Sequence, residues 1–139
     1  MLAVFAGTPV ARAGESCRVT VSAVAFGVYD PTREAPTESR GEIIVECTGA
    51  AAGQVLGVAL DGPGAPRTLR QGRDVLRYGL YRDAMHARPW SSATSVRLAG
   101  DATRAGEASA RIPVYGAIAP GQWSRPGGYG DTVQIVLTY

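Results

Sequence analysis

The last thirteen residues, Gly127 to Tyr139, read GGYGDTVQIVLTY and constrain the fold more than any other stretch. A Gly-Gly turn leads into Val133, Ile135, Leu137 and Tyr139 on one face, with Thr132, Gln134 and Thr138 on the other. Alternation of this kind, carried by β-branched and aromatic residues, specifies a strand with one buried face. The strand runs to the end of the sequence with no further strand to cover it. It therefore lies inside a sheet already built, or it leaves one neighbouring position empty.

The rest of the chain repeats the same signal in shorter pieces. With 139 residues, 18 of them Gly and 9 Pro, one domain with a real core and many turns is expected. Cys17, Val19 and Val21 share a face, after which Val24 and Phe26 take over. That one-residue slip reads as a bulge or a switch between sheets. Residues 27–39, with two prolines and four charges, read as a surface loop, and Gly41 to Cys47 as a strand apolar at Ile43, Ile44 and Val45. Leu56, Val58 and Leu60 mark a third strand. DGPGAP is dense in turn residues, and a hairpin about Gln71-Gly72 places Leu76, Tyr78 and Leu80 inward. Residues 84–92 read as loop, Thr94 to Leu98 as a short strand, and 100–106 as a polar connection. Ala108, Ala110, Ile112 and Val114 alternate, and Pro113 within that run argues for an edge or a strand end. The total is about seven or eight short strands at roughly 8–12-residue spacing with no helical period, which points to an all-β sandwich of two sheets.

Composition excludes several functions. All fourteen basic residues are Arg, Lys and Asn are absent, and the net charge is +2. The arginines are scattered along the sequence with no concentrated stripe, so a nucleic-acid partner is not expected. The single histidine, His86, cannot complete a usual zinc set, and no C-x-x-C is present, so no metal or cofactor is expected. Asp83 precedes His86 by three residues and Ser91 and Ser92 follow it, but no spacing supports a catalytic triad and no nucleophile elbow is present. Asp83, Asp101 and Asp131 all sit beside turn residues, where Asp is common anyway. GGxG is followed by a strand rather than a helix, so it is no phosphate cradle. Trp90 and Trp123 lie in loops, where they are either buried packing or a sugar-stacking platform. No catalytic residues are expected, and the chain is read as a non-enzyme.

Cys17 and Cys47, 30 residues apart, are read as a disulfide, worth about 3–4 kcal/mol by the loop-entropy argument; the alternative is two buried free thiols. The N-terminus supports export. LAVFAG is a short apolar run, and Ala11-Arg12-Ala13 has the small-x-small form of a signal cleavage site, although a charged leading region is missing. Residues 1–13 are thus read as a signal-peptide remnant and 14–139 as the domain. The rival reading is a strand, because Leu2, Val4, Ala6, Thr8 and Val10 also alternate. No segment approaches the roughly 18 apolar residues of a membrane helix, so no membrane insertion is expected.

In order along the chain stand Cys17-x-Val19, Phe26-Gly27-x-Tyr29-Asp30 and Ile43-x-Val45-x-Cys47. Tyr78-x-Leu80-Tyr81-x-Asp83 and Trp90 follow, then Pro113-x-Tyr115-Gly116-x-Ile118, Gln122, Gly128-Tyr129-x-Asp131 and Val133-x-Ile135-x-Leu137-x-Tyr139. This series over residues 16–139 resembles the spore coat U domain, the unit shared with subunits of archaic chaperone–usher pili. The resemblance implies an incomplete immunoglobulin-like sandwich that lacks its last strand. It implies partners that supply the strand: a periplasmic chaperone, an outer-membrane usher and neighbouring subunits. It also implies transit through the periplasm to a pilus or coat at the cell surface, in adhesion or biofilm formation. Under this reading Val133, Ile135 and Leu137 line the donor-strand groove, with Val19 and Val21 facing them. Tyr129 and Asp131 fix the turn before the last strand, and the disulfide holds the groove open. If cleavage follows Ala13, the chain accepts a strand but donates none; if residues 1–13 stay, they are the donor strand. The competing class is a self-complete secreted sandwich that binds carbohydrate through loop aromatics.

Overall fold

The computed structural model describes residues 2–10, 16–49, 53–90, 94–101 and 104–138. Among them no helix forms, and the backbone builds eleven strands. These are β1 (Leu2–Val10), β2 (Ser16–Ser22), β3 (Val24–Ala25), β4 (Thr37–Thr48), β5 (Val55–Leu60), β6 (Arg67–Gln71), β7 (Asp74–Tyr81), β8 (Thr94–Arg97), β9 (Ala99–Asp101), β10 (Arg104–Ile118) and β11 (Gly130–Thr138).

One layer is built on the long β4–β10 pair, antiparallel from Glu107↔Thr48 to Ile118↔Thr37, with β2 on the other side of β4. The second layer is β8–β5–β11–β1. The β6–β7 hairpin joins the two, since β7 pairs with the end of β10 and β6 touches β11 at Gly130↔Arg70. The result is an all-β, sandwich-like fold consistent with an immunoglobulin-like architecture.

The core follows the alternation. Ile43 and Val45 on β4, Ile112 and Val114 on β10, Leu56 and Val58 on β5, Leu76 and Leu80 on β7, and Val133, Ile135 and Leu137 on β11 join one buried cluster. Each fully buried aliphatic side chain of this size contributes about 1.5–3 kcal/mol relative to exposure. The phase slip after Val21 is a strand break: β2 pairs with β4, whereas β3 leaves that ladder and pairs with β1. Val24 and Phe26 then fold over the β4–β10 pair, where Gly41 and Gly116 leave room. A Cβ on Gly116 would stand 2.5 Å from the Phe26 ring, and one on Gly41 only 2.5 Å from the Ser22 carbonyl oxygen.

Eleven strands exceed the seven or eight expected, and the excess has physical causes. Four residues of the expected 27–39 loop and its sequel, Thr37 to Arg40, extend β4 because β10 offers them a continuous backbone partner. Their side chains are mostly polar and outward, so no apolar alternation announces them. Likewise β9 and the start of β10 replace part of the expected connection at 100–106, as β9 folds back antiparallel on β10. Pro113 lies inside β10, but β10 is paired on that second side only by β9 up to Ser109 and by β7 from Tyr115. The proline falls in the unpaired gap, a local edge, where its missing N–H costs no ladder bond.

The position beside β11, expected to be empty, holds a strand. Residues 2–10 run parallel to β11 as β1, in register from Leu2↔Gly130 to Val10↔Thr138. This is the element that the rival reading of the N-terminal alternation describes. The cleavage motif at residues 11–13 and the seat of Tyr139 lie outside the described residues.

Candidate strand-pairing groove

The groove is set by three strands. β11 forms its floor: Val133, Ile135 and Leu137 are buried, and their neighbours Thr132, Gln134 and Thr138 face out. On one side β11 is satisfied by β5 through Ile135↔Leu60 to Thr138↔Gly57. Its other side is open to β1 alone. β2 comes close to β1, and its Val19 and Val21 are half-buried and pack on the core. Of the five residues assigned to the groove from sequence, Val133, Ile135 and Leu137 are buried on β11, and Val19 and Val21 lie on β2 against the core.

The register gives the slot a chemistry. In register, the residues opposite Val133, Ile135 and Leu137 are Phe5, Gly7 and Pro9. Leu2, Val4, Ala6, Thr8 and Val10 take the register of Gly130, Thr132, Gln134, Val136 and Thr138 instead. The alternation read from the sequence thus falls on the other phase. Two of the three residues opposite the buried β11 positions are poorly suited to a strand interior, glycine with no side chain and proline with no N–H.

Cys17 and Cys47 are directly opposite each other on β2 and β4 and form the disulfide. It fixes β2 to the main ladder.

Polar side chains close the end of the slot where β1 begins. Asp131 accepts the Tyr78 hydroxyl at 2.6 Å and the Thr132 N–H at 2.9 Å. Burial, and then the Asp131 carboxylate beside it, push the Tyr78 hydroxyl well above its ordinary value. The Tyr129 hydroxyl donates to the Arg125 carbonyl at 2.6 Å, closing the turn that precedes β11. Burial is also the largest cause of its raised pKa, followed by the charge of Asp74.

The other candidates have structural roles. His86 sits at φ 56° in a turn, its ring 5.1 Å from that of Tyr81 and its Nδ1 3.7 Å from Glu38. Asp83 does not address the imidazole; it accepts the N–H groups of Ala87 and Arg88. Burial would raise its pKa, but those N–H bonds outweigh burial and hold its carboxyl below the usual range. Trp90 is buried, and its indole N–H donates to the Tyr81 carbonyl at 3.2 Å. Trp123 is 87% exposed. The two tryptophans do not share a platform. Among the described residues no group of three or more His, Cys, Asp or Glu is arranged to hold a metal ion. Ser91 and Ser92, and the side chain of Asp101, lie outside the described residues. Sequence reading missed the register phase of residues 2–10, since a two-residue period does not say which half faces in.

Comparison with known proteins agrees with this geometry. No curated protein matches the chain. A solved structure with the same fold is the crystal structure of the CsuC–CsuE chaperone–tip adhesion subunit pre-assembly complex from archaic chaperone–usher Csu pili of Acinetobacter baumannii. The match has a TM-score of 0.61 at 18% identity over 90% of this chain, and this chain spans 40% of the matched one. At that identity the likeness is one of fold. The family model of the Spore Coat Protein U domain matches residues 3–136, and the chain belongs to that family.

Proposed function

We propose that this protein is a non-enzymatic subunit of a surface pilus or coat, assembled when a partner's strand enters the slot beside β11. The observation that supports this most is the seat of β1. β11 has one edge bonded to β5 and a second edge whose whole length takes a strand in register. Such an edge, if left uncovered, exposes unpaired backbone groups above an apolar floor. Strand addition satisfies those groups, and pockets for alternate side chains fix the register. The periplasmic chaperone and outer-membrane usher known from the archaic pili are the assembly partners under this reading, as are neighbouring subunits. Adhesion or biofilm formation is the role.

Residues 2–10 are then a stand-in for the partner's strand. Cleavage after Ala13 on export vacates the slot and leaves a chain that accepts a strand without donating one. Mass spectrometry of the exported protein tests this, because an N-terminus intact at Met1 or Leu2 contradicts it. The slot itself is tested on the chain lacking residues 1–13. Alone it aggregates or melts early, and an added peptide of alternating large apolar residues raises its melting temperature markedly. A stable monomer indifferent to such peptides overturns the proposal.

A further inference from the structure

The outer face of the β6–β7 hairpin gathers charges that are spread along the sequence. Arg70 on β6 stands opposite Val75 on β7, and Thr68 stands opposite Arg77, so Arg70 and Arg77 are diagonal neighbours on one exposed face. Arg73 is exposed in the turn that joins the strands. Arg125 comes from the loop before β11 and pairs with Asp74, with its side chain still 69% exposed. Arg70 and Arg77 thus share one face, Arg73 stands in the adjoining turn, and Arg125 reaches the same end of the hairpin beside Gly72, paired with Asp74 on the other phase of β7. Asp131 does not offset them: it lies on the inner phase of β11 with Val133, and Tyr78 donates to it.

The loop of residues 119–128 brings an aromatic ring to the same place. It runs along the free edge of β7 and is tied down at each step. The Gln122 side chain accepts the Arg77 N–H at 2.8 Å and donates to the Arg77 carbonyl at 2.8 Å. The Ser124 hydroxyl donates to the Val75 carbonyl at 2.8 Å, and the Tyr29 hydroxyl bonds the Gln122 backbone. Between Gln122 and Ser124 the chain makes a three-residue turn, closed by Ser124 N–H to the Gln122 carbonyl at 2.9 Å. Trp123 is the centre of that turn and is 87% exposed, beside Val75 at 44%. The backbone that carries this ring is already fixed, so binding would order only the side chain.

We infer that the turn end of this hairpin and the loop along its edge, Trp123 with Arg70, Arg73, Arg77 and Arg125, bind an acidic polysaccharide, specifically one built of uronic acids. A pyranose ring offers an apolar C–H face to the indole, and its carboxylate meets the planar fork of an arginine. The charge of the face selects an anionic polymer over a neutral one. Surfaces for single-stranded nucleic acid stack successive bases on several aromatics, whereas here one ring stands among the arginines. The face is formed by β6, β7 and the 119–128 loop, so it is independent of the slot beside β11.

Isothermal titration of the full chain with a guluronate oligosaccharide tests the assignment, with dextran and oligothymidylate as comparators. The guluronate binds, more weakly as salt rises, and dextran does not. Trp123→Ala and the double variant Arg70→Ala/Arg77→Ala each weaken binding by about tenfold or more, whereas Trp123→Phe retains most of it. Arg111→Ala, an exposed arginine paired with Glu42 on β4, changes nothing. All four variants are at exposed positions and melt with the wild type, which circular dichroism verifies. Equal binding of dextran, tighter binding of oligothymidylate, indifference to Trp123→Ala, or no binding by the folded chain each overturns the inference.

Discussion

The two long pairings of this molecule are held in different ways. β4 and β10 pair antiparallel over twelve successive residues, with Ile43 opposite Ile112 and Val45 opposite Ala110. Both strands are flanked further, β4 by β2 and β10 by β7 and β9. β11 and β1 pair over nine residues, in parallel, with Gly7 and Pro9 opposite the buried Ile135 and Leu137. Parallel pairing is slightly weaker per residue, and among the described residues β1 is paired on its other side only at Leu2 and Ala3. Under the proposed function, one pairing is a permanent wall and the other a replaceable cover. A sandwich built this way keeps its rigidity in one layer and its capacity for exchange in the other.

Removing the disulfide by the double substitution Cys17→Ser/Cys47→Ser gives the largest loss. It frees a loop of 30 residues and costs about 3–4 kcal/mol in chemical denaturation. Next come the two buried isoleucines. Ile43→Ala and Ile135→Ala each cost about 3 kcal/mol, but they part when a strand peptide is added to the chain lacking residues 1–13. Ile135→Ala weakens peptide capture, and Ile43→Ala leaves it unchanged; equal effects would erase the distinction between wall and cover.

A smaller effect sharpens the register. A peptide copying residues 2–10 and carrying G7V/P9V captures the slot about tenfold more tightly than the unaltered peptide, because it supplies two side chains opposite the buried Ile135 and Leu137. Fluorescence competition measures this, and no gain would mean that the phase in the assembled state is the other one. The smallest effect is at the slot's end. Tyr78→Phe loses a hydrogen bond to Asp131 and costs about 1 kcal/mol. The folded chain holds the Tyr78 proton more tightly than the unfolded chain. Its contribution is therefore complete below pH about 10 and declines as pH rises past that value. Thermal melts from about pH 8 upward show a shallower alkaline decline in the variant.

Much of this was legible because it rests on local alternation. The buried faces of β5, β7, β10 and β11 follow from period two, and the break after Val21 follows from a slip in that period. The hairpin about Gln71-Gly72 is as read, with Gly72 at φ 60°. Two features escaped because they depend on what lies across space. The polar ends of β4 and β10 are strands by virtue of their partners, not their side chains. The arginine face escaped for a related reason: Arg70 and Arg77 are neighbours only once the hairpin closes, and Arg125 joins them from about fifty residues away through a loop pinned by Gln122. The strand beside β11 was readable as a period of two, and its register on β11 was not.

The disulfide has a mechanical side. A strand seated along β11 and pulled along its own axis loads its backbone bonds together, in shear, rather than opening them one after another. Tension that reaches β2 meets the Cys17–Cys47 bond at once, so the 30-residue span between them cannot be drawn out. At about 3.3–3.6 Å per extended residue, roughly 100 Å of chain is thereby withheld from stretching, and a domain under load keeps its length.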